Sequence, residues 1–70
     1  MYFQLEVKTK PTATVWPTET FHHLDRAIER ILPDVVADRV SASIYKIPDG
    51  YRPTERILIA RFDWVGMGEI

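Results

Sequence analysis

The clearest hydrophobic pattern in the chain covers residues 54–64, where six of the eleven positions are apolar and all six lie in the last eight. In an extended conformation one face carries Leu58, Ala60, Phe62 and Trp64, and the other carries Ile57, Ile59 and Arg61. A strand that is apolar on both faces usually lies in the middle of a sheet. We therefore predict a central strand here. Pro53-Thr54-Glu55 offers a competing helix start, but the β-branched and aromatic residues that follow favour the strand.

Two further strands are predicted from alternation of apolar and polar residues. Residues 2–8 place Phe3, Leu5 and Val7 on one face, and residues 40–47 place Val40, Ala42 and Ile44 on one face. This period of two is typical of strands that are buried on one side. The Pro48-Asp49-Gly50 run predicts a turn after the second of these strands, so that residues 54–64 return antiparallel to it.

A helix is predicted between the first two strands. Thr18 is a candidate N-cap, and Pro33 is expected to end the helix at Leu32 and to open one further turn through residue 38. The apolar residues that recur at helical spacing are Phe21, Leu24, Ala27, Ile28, Ile31, Leu32 and Val35.

The predicted fold is a single α+β domain over residues 1–70. A helical crossover makes the strands at residues 2–8 and 40–47 parallel, and the most apolar strand lies between them. The result is a two-layer split β-α-β unit with element order β-α-β-β and sheet order 1-3-2. One amphipathic helix covers one sheet face, and the tail at residues 65–70 is predicted to be irregular.

The second sheet face is the main indication of function. It is predicted to expose an apolar and aromatic centre, and such a patch on a small domain usually marks a contact site. The alternatives are that residues 65–70 cover this face, or that its apolar residues are simply tolerated at the surface. The predicted interface residues are Tyr2, Tyr45, Ile47, Ile57, Ile59 and Arg61.

Composition narrows the function classes. With 70 residues the chain makes one small domain that buries only about 60% of its unfolded surface. It has no cysteine, which excludes disulfides and thiolate metal sites, so a second copy or a larger partner is the remaining source of stability. The start of the chain does not resemble a signal peptide, and no stretch is apolar enough for a membrane span, so we expect a cytoplasmic protein.

One basic stripe provides an alternative function. His22, His23, Arg26 and Arg30 fall on one arc of the predicted helix and could bind nucleic acid. The acidic residues interleaved with them make a solvated, salt-bridged face the commoner meaning of this pattern, and the net charge of −1 does not favour binding through phosphate contacts.

Signals for catalysis and for metals are weak. Adjacent helical residues point about 100° apart, so His22 and His23 cannot easily share one metal ion. Ser41 and Ser43 lie on a strand without an identifiable general base, and three glycines are too few and too scattered for a phosphate-binding loop. We therefore expect no metal and no cofactor, and a non-enzymatic role is favoured. The alternative that stays open is an enzyme whose active site forms between subunits, for which the sequence names no residue.

One resemblance rests on Arg30-Ile31-Leu32-Pro33-Asp34 at a helix end, followed by a strand at residues 42–45. This pattern is similar to small DNA-damage-inducible regulators that bind the recombinase filament, and it covers about half of the chain. That family ends in an acidic helix that carries its function, whereas this chain ends in an apolar strand. The resemblance therefore transfers no function and no site residues.

These observations together predict a small protein-interaction module. It is expected to act as a homodimer or docked on a larger protein, through the second sheet face. Its size is typical of accessory regulators and inhibitors, including those carried by phages and mobile elements.

Overall fold

The computed structural model of the chain describes residues 1–10 and 12–62. Its strands form a single antiparallel sheet in the order β2-β1-β3-β4, and the helix packs on one face of that sheet. The predicted small α+β fold is confirmed, whereas Asp63, Trp64 and the tail at residues 65–70 lie outside the described residues. The elements are β1 (Tyr2–Thr9), β2 (Glu19–Phe21), α1 (Leu24–Val36), β3 (Val40–Ile47), a 3₁₀ turn (Pro53–Glu55) and β4 (Ile57–Phe62).

The chain folds back on itself directly after β1. The Thr9 amide donates to the Thr14 carbonyl at 2.8 Å, and the Trp16 amide donates to the Val7 carbonyl at 2.9 Å. The returning segment continues into β2, where Phe21 lies opposite Phe3. Tertiary pairing with β1 thus holds residues 19–21 in a strand, and the prediction that the helix begins at residue 18 is wrong.

Helix α1 begins after His23, the N-cap, and its buried side follows a spacing of four residues. Ala27, Ile31 and Val35 are buried against the sheet, so the predicted apolar face is centred on these positions. The helix continues through Pro33 because the residues after it keep their backbone bonds, such as the 3.0 Å bond from the Ala37 amide to the Pro33 carbonyl. The predicted end at Leu32 is therefore wrong.

The helix ends in a Schellman motif. Asp38 has a left-handed φ of 58°, and the amides of Asp38 and Arg39 donate to the carbonyls of Val35 and Asp34, each at 3.0 Å. These bonds satisfy carbonyl groups that the helix end leaves unpaired. They also redirect the chain into β3.

The sheet order differs from the predicted 1-3-2. β1 and β3 are adjacent and antiparallel, in register from Tyr2 opposite Ile47 to Thr9 opposite Val40. Because β2 and β3 are both antiparallel to β1, they are parallel to each other and are joined by α1. The split β-α-β unit is therefore β2-α1-β3 around β1. Both sides of β1 are occupied, so β4 adds to the free side of β3 and becomes an edge strand.

The connection to β4 contains the predicted turn. The Tyr51 amide donates to the Pro48 carbonyl at 3.0 Å, and Gly50 has a φ of 85°, which a type II turn requires at its third residue. The competing prediction of a helix at residues 53–55 is realised for one 3₁₀ turn only, after which the chain becomes extended.

The core lies between α1 and the two central strands, β1 and β3. Its buried side chains come from these three elements, with Trp16, Phe21, Ile28, Ala60 and Phe62 packed at its margin. The buried residues of this cluster are Phe3, Leu5, Val7, Ala27, Ile31, Val35, Val40, Ala42 and Ile44.

Candidate interaction site at the β4 edge

β4 presents an apolar row at the margin of the sheet. Its inner side pairs with β3, and no strand of the described residues pairs with its outer side. Ile57, Leu58 and Ile59 are 44%, 48% and 40% exposed. An exposed apolar edge strand is a template for pairing with another chain, since it combines unpaired backbone groups with apolar side chains.

A β-bulge decides which way these side chains point. Ala60 lies opposite Ile44 and Leu58 lies opposite Tyr45, which leaves Ile59 as an extra residue without a partner on β3. The extra residue reverses the alternation in the first part of β4. Leu58 therefore shares a face with Tyr45, and the prediction that it lies under the helix with Ala60 is wrong.

The start of β4 is fixed by Arg56. Its Nη1 donates to Glu6 Oε2 at 2.7 Å and to Gln4 Oε1 at 3.2 Å. Its Cζ lies 3.7 Å from the centroid of the Tyr45 ring, in cation–π geometry. The hydrogen bond with the Glu6 carboxylate raises the pKa of the Arg56 guanidinium above its usual range. These bonds connect the residue before β4 to β1, across the width of β3.

The end of β4 is fixed by packing. Ala60 and Phe62 lie opposite Ile44 and Ala42 and pack against the core. The exposed row at residues 57–59 thus lies between a polar anchor and an apolar one. A strand held at both ends loses less conformational entropy when a partner binds, which favours association.

The sheet face away from α1, here called the open face, carries Gln4, Glu6, Ser43 and Tyr45, which alternate with core residues. Its centre is polar because Arg56 crosses it. The prediction that this face has an apolar centre is therefore wrong. The exposed apolar residues are concentrated at the β4 edge instead.

The structure separates the predicted interface residues into three environments. Ile57, Ile59 and Arg61 are exposed on β4, and Tyr2 and Tyr45 are partly buried on β1 and β3. Ile47, opposite Tyr2, is only 1% exposed and is not accessible for a contact.

Two residues of this site were missed from the sequence. Leu58 was missed because a bulge leaves no mark in the pattern of apolar residues. Arg56 was missed because its partners, Gln4 and Glu6, are about 50 positions away along the chain. The adjacent run of Pro53-Thr54-Glu55 was the available signal that Arg56 stands at a junction between a turn and a strand.

The structure divides the predicted basic stripe. His22 and His23 precede the helix and are exposed, as is Arg26. Arg30 instead interacts with the β2 side of the molecule: its Nε is 3.4 Å from Glu19 Oε2, and its Cζ is 5.7 Å from the Trp16 ring centroid. Within the described part of the chain, no three histidine or carboxylate side chains form a group that could hold a metal ion.

Comparison of the chain with protein-family models, with curated proteins and with solved structures found no match. The part of the chain that the structure describes holds no helix that is long and apolar enough to span a lipid bilayer.

Proposed function

We propose that this protein is a small protein-interaction domain that forms a homodimer by pairing β4 with β4 of a second copy. The observation that supports this most is the exposure of three successive apolar residues, Ile57, Leu58 and Ile59, on an edge strand that is anchored at both ends. Pairing would satisfy the outer backbone groups of β4 and remove these side chains from water.

A second copy suits this edge for two reasons. A two-fold axis beside β4 brings the same apolar row from each copy together, and such isologous pairing is the commonest form of assembly. The net charge of −1 produces little repulsion between copies. The two four-stranded sheets would join into one continuous sheet. The function that such a surface supports is binding, in keeping with an accessory regulator or inhibitor.

The first test is the solution mass of the intact chain, measured by light scattering over a range of concentrations. We expect a dimer for the wild type and a monomer for Ile59→Asp, because the variant places a charge in the middle of the paired edge. Val36→Asp is the matched control, since Val36 is an exposed apolar residue on α1, 67% exposed, and should leave the dimer intact. A wild type that stays monomeric at every concentration would overturn the homodimer.

The absence of native cysteine makes a second test specific. Single variants Ile57→Cys, Leu58→Cys and Ile59→Cys are oxidised and analysed by non-reducing electrophoresis. A two-fold axis at residues 57–59 brings at least one of these positions within the Cα separation of about 4.4–6.8 Å that a disulfide needs. Val36→Cys should give no comparable product. Dimers that form without cross-linking at any of the three positions would show that the apolar row at residues 57–59 does not lie at the two-fold axis.

A further inference from the structure

A shallow depression on the open face has a different chemistry from the β4 edge. It has a volume of about 190 Å³ and crosses β1, β3 and β4. It lies farther along β1 than the hydrogen bond between Arg56 and Gln4, toward Lys8. This volume is smaller than that of sites for drug-sized ligands, which is about 300–1,000 Å³, so the depression suits a small ligand. The residues that line it are Glu6, Val7, Lys8, Val15, Ser41, Ala42, Ser43, Arg61 and Phe62.

Strand register brings four polar side chains of this depression together. Lys8 lies opposite Ser41, and Arg61 lies opposite Ser43. Opposite residues share a sheet face with their Cβ atoms about 5 Å apart, and residues two apart on one strand share a face as well. The two hydroxyl groups therefore lie side by side on β3, with one cationic side chain on each side of them.

These side chains retain unused hydrogen-bond donors. Among the described residues, neither Lys8 nor Arg61 forms an ion pair. Neither serine hydroxyl forms a side-chain hydrogen bond within the described part of the protein. The carboxylate in the lining, Glu6, is already paired with Arg56 at 2.7 Å. The described lining therefore carries two cations whose charge is not neutralised inside the molecule.

We propose that this depression binds a small phosphate oxyanion, as inorganic phosphate or as the phosphate of a small phosphomonoester. Arg61 supplies the planar fork that phosphate oxygens accept in pairs, and Lys8 supplies a compact charge from the other side. Ser41 and Ser43 donate from the floor. This site is independent of the proposed homodimer, because its ligand-binding groups lie on the open face and not on the outer side of β4.

The test is a titration of the intact ¹⁵N-labelled chain with inorganic phosphate, followed by NMR at constant ionic strength maintained with sodium chloride. We expect saturable shifts of the Ser41 and Ser43 amides, and at least a tenfold weaker affinity in Arg61→Ala. Arg26→Ala is the matched control: Arg26 is an exposed arginine on α1, and its removal should leave phosphate affinity unchanged. Methyl phosphate in place of inorganic phosphate distinguishes a monoester from the free ion as the preferred source.

Two results would overturn the proposal. One is a set of shifts that do not saturate and that spread over all exposed lysines and arginines. The other is equal affinity for phosphate in Arg61→Ala and Arg26→Ala. If Arg61→Ala perturbs the fold, Arg61→Lys keeps the charge and the strand and should still weaken binding, because the bidentate geometry is lost.

Discussion

The two edges of the sheet differ in length, chemistry and protection. β2 has three residues, is preceded by Pro17, and has its Glu19 carboxylate 3.4 Å from Arg30 of α1. β4 has six residues and an exposed apolar row at residues 57–59. Natural sheets protect their edges with short strands, prolines and charges, and the β2 edge combines all three.

This difference shows that exposure of apolar residues is not a general property of the margins of this small sheet. β4 has two protective features, the bulge at Ile59 and the charge of Arg61, and it keeps exposed apolar residues at and before the bulge position. The same fold thus closes one edge and leaves the other available. That contrast is the physical basis for assigning the interaction to β4.

The largest expected effect comes from removing the support that β4 shares with the rest of the sheet. Ile44 is fully buried and lies opposite Leu5 on one side and Ala60 on the other. Ile44→Ala should lower the free energy of unfolding by about 2–5 kcal/mol through lost burial and a cavity. Urea unfolding measures this. A loss below about 1 kcal/mol would show that β3 is not the central support of both edges.

Placing the same charge on each edge tests the comparison directly. Leu58→Lys on β4 should weaken self-association by about 100-fold, equivalent to about 2.8 kcal/mol. The variant removes an apolar contact that becomes buried in the dimer and puts a charged side chain there. Thr20→Lys, at the exposed middle position of β2, should leave association unchanged. Sedimentation equilibrium measures both constants. Equal weakening by the two variants would contradict the assignment of the interaction to β4.

The arginine beside each edge provides the smallest contrast. Arg56, whose side chain is 29% exposed, donates two hydrogen bonds and stacks on Tyr45, so Arg56→Ala should cost about 1–2 kcal/mol of stability. Arg30 is 43% exposed with one long ion pair, and Arg30→Ala should cost about 0–1 kcal/mol. Thermal and urea unfolding compare the two. A larger loss in Arg30→Ala would mean that the β2 edge is the more firmly anchored one.

Elements with a strong local period could be predicted from the sequence. The alternation in residues 2–8 and 40–47, the turn at Pro48-Asp49-Gly50 and the apolar spacing of Ala27, Ile31 and Val35 all correspond to observed elements. The α+β class followed from these elements. The predicted exposure of Ile57 and Ile59 agrees with the structure. The predicted apolar centre of the open face does not, because Arg56 makes that centre polar.

The errors in the helix start and in the strand order share one cause. β2 is too short to show a period, and it exists because its backbone pairs with β1. Once β2 is present, the helical crossover connects β2 to β3 and not β1 to β3, so the sheet order changes. The apolar character of residues 57–62, typical of a central strand, then belongs to an edge strand.

The sequence by itself determined the strands with clear alternation, the buried side of the helix and the turn before β4, because each depends on residues a few positions apart. Only the tertiary structure decided which strands are neighbours, where the bulge lies, and which arginine is anchored. Those features depend on pairing between residues that are distant in the chain, such as Arg56 with Glu6 and Ser43 with Arg61. The candidate sites arise from such long-range pairing, and local periodicity contains no record of it.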